Sequence, residues 1–345
     1  MKKRLIALIL LTVLILPSLC SCSNEEKQTA ERFDCFDTYS VLTVYCSDEE
    51  FEAYKQEFDA ILLQYHELFD IYHSYDGVIN LNTLNNQASV SPVRVSNELF
   101  DALKYAKELY TITNGKCNVA LGALTSIWHD ARLNAQDSPQ NAYLPNEQSI
   151  IEALLHVDIN AIILNEADKT VYFTDDALRL DFGSIAKGYV ASLLYERLIS
   201  VECEGFLINL GGNIVSHGKK PDGEAWRTKI ENPFNDTSLG YNEIITLGDE
   251  TLVTSGSYQR YFTYNKKQYS HIIDTDSGYP ADIFTSVSVL ADARSSALAD
   301  ALSTALFCMS YEDGLALVRS IKGVSALWIF KNGSVKASSD FGGAK

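Results

Sequence analysis

Apolar side chains recur at alternating steps of three and four along residues 51–72, which is the spacing of one face of a long α-helix. The stripe comprises Phe51, Tyr54, Phe58, Ile61, Tyr65, Leu68 and Tyr72. Ser47 or Asp48 precedes this stripe and is the predicted N-cap. A second helix is predicted to begin at Ser96 and to end near Gly115, since glycine commonly terminates helices.

Short apolar segments predict strands between and after these helices. They are Val41–Cys46, Ala161–Leu164, Thr170–Thr174, Phe206–Leu210, Glu243–Leu247, Phe284–Leu290 and Val324–Phe330. Turns are predicted at Asn265–Lys267 and, as a hairpin, at Lys331–Ser334. Because several strands are joined by short turns, the pattern favours an α+β fold over a doubly wound parallel sheet. The sheet is expected to be mixed or antiparallel and packed by helices. The polar segment 131–147 predicts an irregular loop over a site.

The first 22 residues have the pattern of an export signal. A basic start is followed by the apolar run Leu5–Leu16, whose 12 residues are too few to span a bilayer and fit a signal peptide. The following Leu19–Cys22 resembles a bacterial lipobox, with residues 1–21 removed and lipid attached to Cys22. Cys20 as the lipidated residue and an ordinary cleaved signal are the alternatives. We expect a tether over 22–33, one domain over 34–340, and lipid anchoring at the outer face of the cell membrane.

Composition narrows the choice of ligand. The chain carries 28 basic and 45 acidic residues, a net charge of -17, which disfavours binding to the phosphate backbone of nucleic acids. An anionic small molecule would need a local cation, such as a metal ion. The seven cysteines contain no pair with the spacing of a zinc site after the signal segment.

Two glycine-containing segments follow predicted strands. In Leu180–Tyr189, a short strand, a glycine turn and a helix start bring free N–H groups and Lys187 together, a combination that suits a phosphate. The segment matches neither the P-loop nor the dinucleotide fingerprint, and a purely structural turn is the alternative. In Asn209–Asn213, two adjacent glycines would permit close approach of a ligand or of another part of the chain.

Two further segments carry candidate chemical groups. His271 and Asp274 lie in a polar, turn-rich stretch that follows Thr254–Tyr261, which makes His271 a candidate for an acid/base or orienting role; a histidine with an ordinary structural role is the alternative. In Ser296–Leu306, Asp300 stands among alanines and leucines, four residues before Thr304 on the same helix face. Such a carboxylate must face water, pair with a basic group or bind a hard cation, and carboxylate with hydroxyl oxygens suits Mg²⁺.

These four segments, in this order, resemble the ApbE family, the FAD:protein FMN transferases, over about residues 34 to 336. The resemblance implies an ApbE-like fold with two intertwined lobes around a flavin cleft. It further implies Mg²⁺-dependent transfer of the FMN half of FAD to a threonine hydroxyl of an electron-transfer protein, with release of AMP. The expected partners are therefore FAD and an acceptor protein, with the membrane contacted through the lipid alone.

The resemblance also implies site residues. The metal would be held by Asp300, Thr304 and the backbone carbonyl of Ser184, with Ser303 as a neighbour. The residues expected to bind FAD are Asp181, Lys187, Ile272 and Ile273 and, more loosely, Phe36, Tyr72, Trp128, His129 and Asp130. His271 or Asp274 is the candidate base. This chain has Thr275 where the family usually has proline, and it lacks the usual glycines after Trp128.

Two other functions remain open from the sequence. The same fold could hydrolyse FAD to FMN and AMP with water as the nucleophile. The chain could also be a lipid-anchored protein that binds a flavin or another solute without chemistry.

Overall fold

The computed structural model describes residues 26–342, except 235 and 237. The predicted signal peptide of residues 1–21, with Cys20, and the lipidation site Cys22 lie outside these described residues. None of the helices within the described part is long and apolar enough to cross a membrane.

The described residues form eight α-helices and fifteen strands. The helices are α1 (Asp48–Phe69), α2 (Leu81–Gln87), α3 (Asn97–Ile112), α4 (Gly122–Asp137), α5 (Glu147–Leu154), α6 (Ala186–Ser200), α7 (Ser296–Phe307) and α8 (Tyr311–Ser320). The strands are β1 (Glu26–Cys35), β2 (Thr38–Cys46), β3 (Val93–Arg94), β4 (Ile162–Asn165), β5 (Thr170–Phe173), β6 (Phe206–Leu210), β7 (Asn213–His217), β8 (Trp226–Lys229), β9 (Ile244–Leu247), β10 (Glu250–Gly256), β11 (Tyr261–Tyr264), β12 (Lys267–Ser270), β13 (Phe284–Asp292), β14 (Ser325–Phe330) and β15 (Val335–Ala337).

An antiparallel sheet of eight strands, in the order β1-β2-β6-β7-β10-β13-β14-β15, forms the centre of the fold. Neighbouring strands pair antiparallel in each of the sheets of the described chain. Helices α6 and α7 cover one face of the central sheet, where α7 packs on β10 and β13. The predicted α+β class is therefore confirmed. Each predicted strand coincides with an observed one to within three residues at either end.

A second lobe is built from two separate parts of the chain. Its apolar cluster combines residues of 121–157 with residues of 262–273, and it is distinct from the main core. Ile272 packs in the main core, whereas its neighbour Ile273 packs in the second cluster. The chain therefore passes between the lobes at this segment, as the expected intertwined arrangement requires.

Helix α1 begins where the sequence predicts and ends earlier. Ser47 caps it in a capping box with Glu50, which satisfies two N–H groups at the helix start. The helix ends at Phe69 and the backbone of Asp70 is extended. Tyr72, the last member of the predicted stripe, therefore lies beyond the helix, and its ring is exposed.

The predicted tether differs from the structure from residue 26 onward. Residues 26–35 form the edge strand β1, which pairs with β2. Ala30 and Cys35 are the buried side chains of this strand. An edge strand that buries so few side chains keeps a polar sequence, which explains why its composition resembles that of a linker.

The predicted loop over residues 131–147 is also wrong in its first half. Helix α4 continues to Asp137, because Leu124, Trp128, Ala131 and Ala135 form a buried stripe at helical spacing. A short helical turn follows at Pro139–Asn141.

Candidate active site

A cavity of about 840 Å³ opens between the two lobes. This volume is in the upper part of the range of roughly 300–1,000 Å³ that is typical of small-molecule sites. Thirteen of the residues singled out from the sequence line it: Phe36, Tyr72, Trp128, His129, Asp130, Asp181, Ser184, Lys187, His271, Ile272, Ile273, Asp300 and Thr304. Ser303 and Asp274 are not lining residues, but each contacts one: Ser303 bonds to Ser255 and Asp274 pairs with Lys116.

The turn between Asp181 and Lys187 is fixed by the Asp181 carboxylate. One oxygen accepts the N–H of Gly183 at 2.8 Å, and the other accepts the hydroxyl of Thr125 at 2.8 Å. These bonds join the start of α6 to α4, which belongs to the second lobe. Asp181 therefore has a clear structural role in holding the N-terminal end of α6 against the cavity.

Helices α6 and α7 meet at Gly188 and Asp300. The N–H of Gly188, in the first turn of α6, donates to Asp300 Oδ2 at 2.8 Å. Asp300 is 3% exposed. Burial raises the pKa of this carboxyl, and the charge of Lys187 and the Gly188 N–H oppose that shift.

Hydroxyl groups surround the same end of α7. Thr304 Oγ1 lies 3.5 Å from the hydroxyl of Ser255 on β10, and Ser303 Oγ lies 2.7 Å from that same hydroxyl. Ser303 also donates to the carbonyl of Asp300 at 2.9 Å. Ser303 is thus a supporting neighbour, while Asp300 and Thr304 reach the cavity.

His271 presents one ring nitrogen as a proton acceptor. Its Nδ1 lies 3.1 Å from the carbonyl of Arg260, and because a carbonyl can only accept, Nδ1 carries the proton. Nε2 is then the basic nitrogen. The His271 side chain is exposed to the open cavity. Desolvation by the surrounding walls nevertheless lowers the pKa of His271 to about 4, and the nearby charges of Arg260, Lys187 and Arg132 contribute to this shift. The imidazole is therefore neutral at pH 7.

Three cationic groups gather around this histidine although the chain as a whole is acidic. Arg132, Arg260 and Lys187 all line the cavity. Burial and the charge of Arg260 lower the pKa of Arg132, so these two guanidinium groups repel each other in the described structure. A bound polyanion would relieve this repulsion. The sequence pattern does not indicate Arg132, because it predicts a loop over residues 131–147. Arg132 lies in the cavity because the buried stripe of α4 continues the helix through this position.

Aromatic rings form the wall on the side of the second lobe. The Trp128 ring stacks on Tyr269 with centroids 6.0 Å apart, and Phe262 stacks on the same tyrosine at 5.4 Å. Trp128 Nε1 donates to the carbonyl of Gly278 at 2.8 Å. Trp128 is 3% exposed, so it shapes this wall and fixes the 274–280 turn.

A second aromatic pair stands at a more open part of the cavity. The rings of Tyr72 and His129 lie 5.6 Å apart at an angle of 33°, and Arg132 Nη2 lies 2.9 Å from His129 Nδ1. Phe36 faces the same cavity from the turn between β1 and β2, where its N–H donates to His66 Nδ1 at 3.3 Å.

Asp274 takes part in an ion pair. Its carboxylate lies 2.7 Å from Lys116 Nζ and accepts the N–H of Ser277 at 3.2 Å. Burial by itself would raise the pKa of Asp274, but these two partners outweigh it and hold that pKa below its usual value. Of the two candidate bases, His271 therefore has the free acceptor atom, whereas Asp274 stabilises the adjoining turn.

The glycines of Asn209–Asn213 form the hairpin between β6 and β7. Gly211 and Gly212 have φ angles of 56° and 95°, which favour glycine. A Cβ on Gly211 would also collide with the side chain of Thr38. A structural explanation therefore accounts for this motif, although Gly211 also borders the cavity.

Comparisons with known proteins agree with this architecture. A model of the ApbE family matches residues 36–328. A curated FAD:protein FMN transferase of Treponema pallidum is 32% identical over 293 residues, which are 79% of this chain and 78% of that protein. Another from Klebsiella pneumoniae is 29% identical over 300 residues, which are 87% and 88% of the two chains.

Solved structures show the same fold. The flavin transferase ApbE from Vibrio cholerae superimposes with a TM-score of 0.76 at 26% identity, covering 92% of this chain and 99% of that chain. The ApbE protein of Thermotoga maritima gives a TM-score of 0.79 at 24% identity, covering 92% and 98%. The chain therefore belongs to the ApbE family and, like these curated relatives, is a transferase.

Proposed function

We propose that this protein transfers the FMN half of FAD to a threonine hydroxyl of an acceptor protein, with Mg²⁺ as cofactor and AMP as the leaving product. The observation that carries the proposal is the convergence of Arg132, Arg260 and Lys187 on His271 within the large cavity. A diphosphate bridge would find compensating charge there, and FAD contains such a bridge between two aromatic groups.

The residues around Asp300 fit a magnesium ion. Mg²⁺ is commonly held by one or two carboxylates together with substrate phosphates and water, rather than by a cage of protein ligands alone. Within the described residues, no group of three or more His, Cys, Asp or Glu is arranged to hold a metal. Asp300, Thr304 and the Ser184 carbonyl would supply oxygen ligands. Bound there, the ion would supply charge stabilisation at the diphosphate.

The chemistry requires one proton acceptor and one positively charged environment. The threonine oxygen forms a bond to the phosphorus of the FMN half, and the bond from that phosphorus to the bridging oxygen breaks, so that AMP leaves with that oxygen. Nε2 of His271 is the proposed acceptor of the threonine proton. Lys187 and the two arginines stabilise the charge on the phosphoryl oxygens, which is the main requirement of phosphoryl transfer.

The test uses the full-length chain in detergent with FAD, MgCl₂ and a candidate flavin-carrying electron-transfer protein. We expect the acceptor to gain the mass of FMN and an equal amount of AMP to appear, and we expect EDTA to abolish both. Asp300→Asn should lower the rate at least about 100-fold while the fold is retained, whereas Asp101→Asn, an exposed carboxylate on α3, should not. Equal rates in the two variants would contradict the assigned metal site.

The same experiment separates the other two functions. FMN and AMP formed at a comparable rate without any acceptor would identify a pyrophosphatase, because His271 could take a proton from water as well as from threonine. Stoichiometric FAD binding over hours without AMP would identify a binding protein.

We also propose that lipid on Cys22 holds the enzyme at the outer face of the cell membrane. The basic start, the 12-residue apolar run and the lipobox-like Leu19–Cys22 support this location. Mass spectrometry of the membrane-bound protein should find an acylated N-terminal Cys22. Release of a Cys22→Ala variant from membranes is expected, while retention of that variant and release of Cys20→Ala would assign the lipid to Cys20.

A further inference from the structure

The segment that carries Tyr72 is organised by a single carboxylate. Asp70 is the C-cap of α1, and its side chain is 5% exposed. Its Oδ1 accepts the N–H groups of Tyr72 at 2.6 Å and of His73 at 3.0 Å. Its Oδ2 accepts the hydroxyl of Tyr75 at 2.7 Å and lies 3.0 Å from His73 Nδ1. Four groups of one short loop therefore converge on this side chain.

Other contacts fix the ends of this loop but not Tyr72 itself. Asn80 is fully buried, and its amide donates to the carbonyls of Glu67 at 3.1 Å and of His73 at 2.8 Å. The N–H of Asn82 donates to the Asp70 carbonyl at 3.0 Å. The Tyr72 ring, which is 59% exposed, rests on His129. Tyr72 is therefore placed by ring contacts with His73 and His129 and by the bond from its N–H to Asp70, which also accepts the N–H of His73.

We propose that Asp70 is a positioning residue that holds Tyr72 against His129, so that the two rings offer a preformed stacking surface to an aromatic ring of FAD. This inference rests on the proposed function, because it takes FAD as the ligand of the cavity. Asp70 itself borders the cavity, but its carboxylate is engaged by groups of its own loop, so we assign it a role through the loop rather than in the chemical step. Preorganisation of this kind improves affinity because the loop does not have to be ordered when the ligand binds.

Substitutions at Asp70 and Tyr72 separate positioning from a general structural role. Stacking on one aromatic side chain contributes about 1–3 kcal/mol, so Tyr72→Ala should weaken FAD binding roughly 5- to 150-fold. Asp70→Ala should weaken it at least about fivefold. The double variant should bind FAD no more than about twofold more weakly than Tyr72→Ala. Once the ring of residue 72 has been removed, its position can no longer affect FAD binding. At saturating FAD, kcat of Asp70→Ala should stay within about twofold of the wild-type value, because a positioning residue of the binding surface affects affinity rather than the chemical step.

Asp70→Asn should rescue binding, because an amide oxygen can still accept the N–H groups of Tyr72 and His73. Asp76→Ala is the matched control, since it removes the same charge from an exposed position of the same loop, outside the cavity lining. FAD affinity is measured by the fluorescence change of FAD on titration with the full-length protein, and folding by the thermal midpoint of each variant.

Additive losses in Asp70→Ala and Tyr72→Ala, or loss of affinity in Asp70→Asn equal to that in Asp70→Ala, would overturn the proposal. So would an Asp70→Ala variant that binds FAD as tightly as the Asp76→Ala control. Failure of the wild-type protein to bind FAD at all would instead refute the proposed function, so the two failures are distinguishable.

Discussion

Replacing Gly188 with alanine tests the contact between α6 and α7 on which the proposed metal site depends. A Cβ at this position would lie 2.4 Å from Cβ of Asp300 and 2.5 Å from the carbonyl oxygen of Ser296. Both atoms belong to α7 close to its backbone, so neither can move away without moving that helix. The substitution therefore forces the two helices apart at the buried carboxylate.

The expected loss in the free energy of unfolding follows from three contributions. Overpacking in a tight core costs about 1–3 kcal/mol. Loss of a hydrogen bond to a charged group, here from the Gly188 N–H to Asp300, costs about 1.5–3 kcal/mol. The better helix propensity of alanine offsets about 1 kcal/mol. We expect the free energy of unfolding to fall by about 1.5–5 kcal/mol, and Mg²⁺-dependent transfer to fall with it because Asp300 is displaced.

Urea unfolding followed by circular dichroism measures the free energy of unfolding, and the acceptor assay at saturating Mg²⁺ measures the rate of FMN transfer. Gly248→Ala is the matched control, because a Cβ there would meet nothing within 4 Å and its φ is not positive. Its free energy of unfolding should change by no more than about 0.5 kcal/mol. A Gly188→Ala protein as stable and as active as Gly248→Ala would refute the proposed close contact between the helices.

Other predictions concern the two candidate bases. His271→Gln should slow transfer about 100- to 10,000-fold in the acceptor assay with FAD affinity kept within about tenfold, and an unchanged rate would exclude it as the base. The pKa of His271 falls from 6.5 in the unfolded chain to about 4 in the folded one, so the unfolded state binds more protons between these pH values. The free energy of unfolding of the wild-type protein should therefore fall as the pH falls from about 6.5 to 4. Thermal midpoints across this range should fall less in His271→Gln, and equal slopes would contradict the lowered pKa. Asp274→Asn should lower the thermal midpoint, because it breaks the ion pair with Lys116. The folded variant should still transfer FMN within about tenfold of the wild-type rate. Loss of transfer at an unchanged midpoint would make Asp274 the base.

Strands that carry uniform apolar runs are predictable from the sequence, whereas two of the central strands are not. β7 and β10 lie in the middle of the large sheet, yet each contains hydroxyl side chains at buried positions. Thr251 donates to the carbonyl of Ile214, and Ser216 donates to that of Gly248. These polar groups are satisfied by distant parts of the chain, so a local pattern cannot distinguish them from a solvent-exposed turn.

The same distinction explains which site residues the sequence could indicate. Asp300 stands out because a carboxylate is unusual inside an apolar helix; the sequence left open whether it faces water, and the structure shows that it is buried. Arg132 gives no such contradiction, since an arginine in a polar stretch is typical of an exposed surface. Its presence in the cavity depends on the packing of α4 against β11, a contact between parts of the chain more than 120 residues apart.

Contacts that the local sequence pattern does not show decide between His271 and Asp274 as the base. In sequence the two residues are equivalent candidates, three positions apart in the same polar stretch. Their difference comes from Lys116, which neutralises Asp274, and from the Arg260 carbonyl, which fixes the proton on Nδ1 of the imidazole. Lys116 lies 158 residues from Asp274 and Arg260 lies 11 residues from His271, and neither pairing is visible in the local pattern. Together they leave His271 Nε2 as the basic atom among three cationic groups. A base of low pKa is suited to such a site, because a bound diphosphate would offset the positive charge and raise the pKa of His271 when substrate is present.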